Sequence, residues 1–195
     1  MRALIIAAAL AASGAAYAEP VNYTLDAAHT QVAFSIERFG FNHVLGRFEN
    51  VTGAMVIDEA NPANSSVSAT IQVASIDSSN DTRDEHLRGE RWLNAAQFPT
   101  IEFRSTAVRL TGERTAEVTG NLTLLGQTHP VTLNVTLNNI GATPNRPSAR
   151  LAGFSATGSL SRATWGSTTA QGPNMIGDLV SIQIEALAAP AQAAN

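Results

Sequence analysis

The sequence of 195 residues contains no cysteine, and all 12 of its basic residues are arginine. Without a thiol there can be no disulfide, thiolate nucleophile, zinc ribbon or cysteine-held iron–sulfur cluster. Without a lysine there is no amine for Schiff-base, Ser–Lys or P-loop chemistry. Charge is scarce: Asp, Glu and Arg make up 14% of the chain, against about a quarter in ordinary soluble proteins. Mean hydropathy is nonetheless only +0.01, so the polarity must come from neutral Ser, Thr, Asn, Gln and Gly, as on a strand-rich surface. A net charge of −4 argues against nucleic acid or an anionic membrane as the main partner. A nucleophile elbow is missing as well, since Gly153-Phe-Ser-Ala-Thr157 lacks the closing glycine. His29, His43, His86 and His129 show no ligand spacing, so no metal site is expected. The adjacent pairs Asp58-Glu59 and Asp84-Glu85 diverge on any regular element, and solvated surface is the expectation for both. No catalytic residue is assigned, and the chain reads as a non-enzyme.

What is present begins with an export signal. Arg2 precedes an apolar run from Ala3 to Ala12 and a small-residue end, Ala16-Tyr17-Ala18. This is the layout of a cleaved secretory peptide, and the run is too short for the roughly 20 residues a spanning helix needs. Residues 1–18 are therefore expected to be removed after Ala18. The mature chain then has 177 residues, 195 less 18, and a net charge of −5 once Arg2 is gone. Stable membrane insertion is not expected. Residues 19–195 read as a single domain with its core at about 22–187.

Along that domain apolar residues recur at every second position, the period of half-buried strands. Val32, Phe34 and Ile36 alternate with polar neighbours, as do Val67, Ala69, Ile71 and Val73. Val131, Leu133, Val135 and Leu137 alternate with Thr132, Asn134, Thr136 and Asn138. Ile101 and Phe103 have one parity and Val108 and Leu110 the other, which predicts a bulge near Ser105 to Ala107. Strands are predicted around 31–37, 44–50, 53–58, 66–76, 100–111, 115–125, 130–140, 149–161 and 179–187, eight or nine in all. One-faced alternation over so many strands predicts an all-β antiparallel barrel or sandwich, and closure would remove exposed edges. The exception is residues 80–96, where Thr82-x-x-Glu85 has the form of a capping box and one short helix is predicted. There Asp84 and Arg88 would be i,i+4 partners on an exposed face pinned by Leu87. Asp26 and His29 read as a turn cap.

Several segments together resemble the YceI family of bacterial periplasmic, lipocalin-like, polyisoprenoid-binding proteins. They include Tyr23-Thr-Leu-Asp-Ala-Ala-His-Thr30, Gly46-Arg-Phe48, Ser75-Ile-Asp-Ser-Ser-Asn80 and Arg83-Asp-Glu-His-Leu87. Phe98-Pro-Thr-Ile-Glu-Phe103, Gly120-Asn-Leu-Thr-Leu-Leu-Gly126, Gly153-Phe154 and Ser161-Arg-Ala-Thr-Trp-Gly166 continue the series. At the last of these, Thr164 stands where the family usually has Asp, and Trp165 where it has Phe. The resemblance implies an eight-stranded antiparallel lipocalin-like barrel with one short helical insertion, closed around an elongated apolar pocket. It implies a periplasmic carrier that holds an isoprenoid chain or similar lipid, such as a quinone tail, without chemistry and without another cofactor. It also makes a homodimer plausible. Two other readings stay open: a structural or stress-related envelope protein with a packed barrel, and an enzyme acting on a lipophilic substrate.

If the barrel is hollow, its lining is expected among Phe34, Ile36, Phe39, Phe41 and Phe48 near the first strands. Leu87, Trp92, Phe98 and Phe103 would contribute from the helical insertion and the strand after it. Phe154, Trp165, Met175 and Ile176 would contribute from the C-terminal third. Small residues at inward positions, Ala69, Gly120, Ala156 and Gly158, would leave room. Asn42, His43, Arg47 and Arg162 are the candidates for a polar mouth. The segment from Trp165 to Asp178 exceeds a hairpin turn and is expected to cap one end, and residues 80–96 could act as a lid.

Overall fold

The computed structural model describes residues 19–172 and 175–191, with Arg146 and Ser148 described by backbone alone. The predicted export signal therefore lies outside the described residues, as do Pro173 and Asn174. The described chain forms β1 (Val21–Leu25), β2 (Gln31–Arg38), β3 (Asn42–Phe48), β4 (Val51–Ile57), β5 (Ser66–Gln72) and β6 (Ile76–Asp77). One helix, α1 (Asp81–Arg88), follows. Then come β7 (Thr100–Leu110), β8 (Thr115–Leu124), β9 (Gln127–Thr143), β10 (Arg146–Ser161) and β11 (Ile176–Pro190).

These segments compose eight barrel strands. β1 and β2 are two halves of one strand, both laid along β11, with the Asp26 turn between them. β3 and β4 are likewise consecutive partners of β2 and β1, and β5 and β6 pair in turn with β4 and β3. From there β5, β7, β8, β9, β10 and β11 pair in sequence, all antiparallel, and β11 closes on β1 and β2. The result is an up-and-down eight-strand barrel with one short helix, as the alternating pattern and the resemblance anticipated. The predicted bulge is present, as a register shift between Ser105 and Ala107.

One end of the barrel carries the β2–β3 turn, α1 and the segment 162–175. The other carries the chain termini, residues 58–65, residues 111–114 and the β9–β10 turn. Apolar residues face inward in two clusters. A larger one is built around Phe48, Val51, Val73, Ile76, Leu122 and Trp165, and a smaller one around Tyr23, Leu25, Ala152 and Ala188 at the end opposite the helix. Outside, neutral hydroxyls bond across strands, Thr119 to Thr132 at 3.0 Å and Thr123 to Thr128 at 2.8 Å. This accounts for a surface poor in charge.

The helical insertion departs from the sequence expectation. Its N-cap is Asn80, which accepts the Arg83 N–H at 2.9 Å, two residues before the Thr82 box. Asp84 is buried and accepts the Ser78 N–H at 2.9 Å. Arg88 donates to the Ala74 and Ile76 carbonyls at 2.9 and 2.8 Å. The expected Asp84–Arg88 pair on a solvated face is replaced by bonds that tie the helix to the chain before it. Asp58 is also buried, accepting from Asn61 N–H at 2.8 Å and the Asn64 side chain at 3.3 Å, so neither acidic pair is merely solvated surface. Asp26 behaves as its turn reading required, accepting from Ala28 N–H at 2.9 Å and meeting His29 at 2.8 Å.

Candidate functional site

The barrel is hollow. A cavity of about 1080 Å³ runs from the helix end to the opposite end, at the upper limit of the roughly 300–1,000 Å³ typical of small-molecule pockets. Its walls are inward-facing residues of every strand, mostly Val, Ile, Leu and Phe.

The aromatic rings keep the lumen open by lying against the wall. Phe34 is the cross-strand partner of Gly46, and a Cβ on that glycine would sit 2.3 Å from the Phe34 ring. At Gly120 a Cβ would come within 2.4 Å of the Phe103 ring, and at Gly158 within 2.7 Å of Leu133. Gly120 and Gly158 thus supply no empty space themselves. They are seats into which neighbouring side chains fold flat, and the lumen stays clear as a consequence. Ala69 and Ala156 do line the cavity directly.

Phe34, Ile36, Phe39 and Phe48 reach the cavity from the first strands, and Leu87 and Trp92 from the helical insertion. Phe103, Phe154, Met175 and Ile176 complete the part of the lining that was anticipated. Three residues are placed elsewhere. Phe41 is 92% exposed, because Phe39 and Gly40 both have positive φ (58° and 73°) and the turn they form carries Phe41 outward. Phe98 packs over Gly126 in the β8–β9 turn. Trp165 is only 3% exposed, but it is embedded in the wall: its Nε1–H donates to the Leu122 carbonyl at 3.2 Å, and its ring meets His129 edge-on at 5.2 Å.

Of the four polar candidates, Asn42 and Arg162 line the cavity, whereas His43 and Arg47 do not. Both of the latter sit at outward positions of β3, and Arg47 is spent on Glu49 and Asp77, each at 2.9 Å. Lining residues that sequence reasoning missed include Met55, Ile57, Leu110 and Ile140 toward the far end, and Asn80, Arg83 and His86 on or beside α1. The inward strand positions were readable from parity. The helix residues carried no signal.

The helix end is organised by Arg162, which is 4% exposed. Its guanidinium donates to the carbonyls of Gly177 and Ser167 at 2.9 Å, Thr169 at 2.8 Å and Ile176 at 3.1 Å. Burial pulls its pKa below the ordinary arginine value, with Asp178 opposing that shift. Asp178 accepts from Ala163 N–H and the Gln171 side chain, each at 2.9 Å, which fastens the same segment from outside. Phe39 N–H donates to the Met175 carbonyl at 2.7 Å and joins the β2–β3 turn to this cap, while the Arg38 guanidinium lies 4.1 Å from the Phe39 ring centroid. At the far end Tyr23, 1% exposed, lies one inward step beyond Leu25. Its hydroxyl accepts from Arg150 at 3.3 Å, and Arg150 grips both Glu59 oxygens at 2.6 Å.

A closed up-and-down barrel around one long apolar cavity defines the class: a small β-barrel whose interior is a ligand-sized chamber. The chain belongs to the YceI-like domain family, whose model matches residues 23–188. It is 38% identical over 161 residues to a UPF0312 protein of Enterobacter sp., covering 83% of this chain and 82% of that one. It is 36% identical over 168 residues to Protein YceI of Salmonella arizonae, covering 86% of each. Among solved structures, Burkholderia cenocepacia BcnA superposes with a TM-score of 0.73 at 24% identity, covering 84% of this chain and 98% of that one. A polyisoprenoid binding domain from Saccharophagus degradans superposes with a TM-score of 0.61 at 15% identity, covering 88% and 99%. At those identities the two structures speak to the fold.

Proposed function

We propose that this protein is a periplasmic carrier that holds an isoprenoid or similar long apolar lipid inside its barrel, with no chemistry performed on it. The observation that carries this reading is the cavity, about 1080 Å³ and walled almost wholly by aliphatic and aromatic side chains. An extended chain of isoprene units suits a chamber of that volume and polarity, open along the barrel from the helix end to the far end. Burial contributes about 0.8 kcal/mol per carbon, or roughly 3–4 kcal/mol gross per unit. Ordering the chain offsets much of this. Dispersion and burial recognise width more than identity, so lipids of similar cross-section should compete. The family membership and the polyisoprenoid binding described for the Saccharophagus domain lend support. The leader-like residues 1–18 support export. The discriminating experiment is unbiased lipid extraction and native mass spectrometry of protein purified from its native compartment. A bound long-chain lipid is expected. Protein that stays empty even after incubation with quinones or prenols would overturn the carrier reading, and the packed-barrel alternative is already excluded by the cavity.

A further inference from the structure

Six large apolar side chains are exposed among the described residues, and four of them gather toward the helix end. Phe41, 92% exposed, and Leu45 lie on the β2–β3 hairpin. Met175 and Leu179 lie just before β11 and near its start, and β11 pairs with β2. The Phe41 N–H donates to the Arg38 carbonyl at 3.1 Å, which closes the turn and leaves the ring at its tip. Single exposed apolar residues are ordinary, whereas a group of them at one rim marks a contact surface.

The group is continuous with the cavity. Met175 is both exposed and part of the lining, and Phe39, two residues before Phe41, lines the cavity too. Beside them the sheet is incomplete. β3 pairs with β2 along its whole length but with β6 only at Arg47 and Phe48. Its edge from Asn42 to Gly46 therefore has no strand partner among the described residues. Beyond that edge the lumen is walled by α1 side chains, Arg83, His86 and Leu87, in place of a strand. Exposed charges at this end come in both signs, Glu37 next to Arg38 and Glu90 next to Arg91, so the rim presents an apolar contact and no single-signed patch.

We infer that the helix end docks on the surface of a lipid bilayer, with the Phe41 ring among the acyl chains and Met175 and Leu179 beside it. Cargo then passes between membrane and cavity without crossing water. This deepens the carrier reading and rests on it, since a chain of isoprene units resides in a bilayer before it is carried. Four side chains fall far short of the roughly 20–30 residues a side that a stable protein interface uses. They suffice for reversible attachment to a bilayer, whose strength scales with the apolar area buried. Apolar contact, and not charge, drives the docking, in keeping with the net negative charge of the chain.

The test has two arms, both on the full mature chain. In the first, empty protein is floated with vesicles of phosphatidylethanolamine and phosphatidylcholine, with and without phosphatidylglycerol, at low and high salt. Co-flotation is expected, neither raised by the anionic lipid nor lost at high salt. Phe41→Ser is expected to lower it about tenfold, and Val21→Ser, outside the group, to leave it unchanged. In the second, dansyl-labelled farnesol is donated from the same vesicles. Its transfer rate should rise in proportion to vesicle concentration and fall about tenfold in Phe41→Ser, while affinity for the free probe stays the same. Absence of co-flotation, or a transfer rate independent of vesicle concentration, overturns the docking and leaves the carrier reading standing. A loss of self-association in Phe41→Ser without a loss of flotation assigns the surface to a second copy and likewise overturns it. If the free probe does not bind, the carrier reading fails, and the flotation arm decides the docking alone.

Discussion

Each end of the barrel is held by an arginine, but in opposite ways. At the helix end Arg162 is buried and bonded to two carbonyls of the irregular segment 162–175, those of Ser167 and Thr169, and to two at the start of β11, those of Ile176 and Gly177. At the far end Arg150 is exposed and joins Tyr23 to Glu59 across strands the barrel already holds in register. An irregular cap must have its backbone groups satisfied by something, and the buried guanidinium supplies four donors at once. The strand end needs no such help, so its arginine is an accessory. The helix end is therefore where stability rests on a single buried side chain.

The comparison can be broken most sharply at Arg162. Arg162→Met removes donors from four carbonyls and is expected to destabilise by roughly 3–5 kcal/mol, read by urea unfolding, with hydrogen exchange fastest in 162–177. Between the two ends, Gly46→Ala is expected to cost about 1–3 kcal/mol by overpacking. It should also weaken chain binding, because the Phe34 ring has no route away from the new Cβ except into the lumen. A titration with a long-chain prenol separates the two effects. Arg150→Met at the far end is expected to cost no more than about 1 kcal/mol, as exposed pairs do, and to leave binding unchanged.

The smallest effect concerns pH. The Asp178 carboxyl is held below its ordinary value of 3.8, chiefly by a hydrogen bond from Ser161 and also by Ala163 N–H, Arg162 and Gln171, against burial. A depressed folded-state value contributes stability that is full above the ordinary value and is lost as pH falls through the folded one. Melting temperatures from about pH 5 to about pH 2 should therefore fall less steeply in Asp178→Asn than in the wild type.

The same contrast explains what the sequence could disclose. Strands were legible because each has one face in the lumen and one in water, and the bulge because parity reversed between Phe103 and Val108. β1 alternates as well, but its five residues resemble a lead-in to the Asp26 turn. The roles of Arg83, Asp84, Arg88 and Arg162 were not legible, since most of their partners are backbone groups that any sequence offers. The capping-box form of Thr82-x-x-Glu85 pointed to the wrong cap, because the residue that accepts the Arg83 N–H is Asn80. The aromatic part of the cavity was largely anticipated. Trp165 was misplaced because a buried ring near a pocket can face the wall as easily as the lumen, and here Leu122 and His129 hold it there.

The central claim is that one chain lies along the cavity, and its most direct test is affinity measured against prenol length. Affinity should rise with each added isoprene unit until the chamber from Phe39 to Leu25 is full, and then level off. Affinity independent of length, or rising without a plateau, would contradict it.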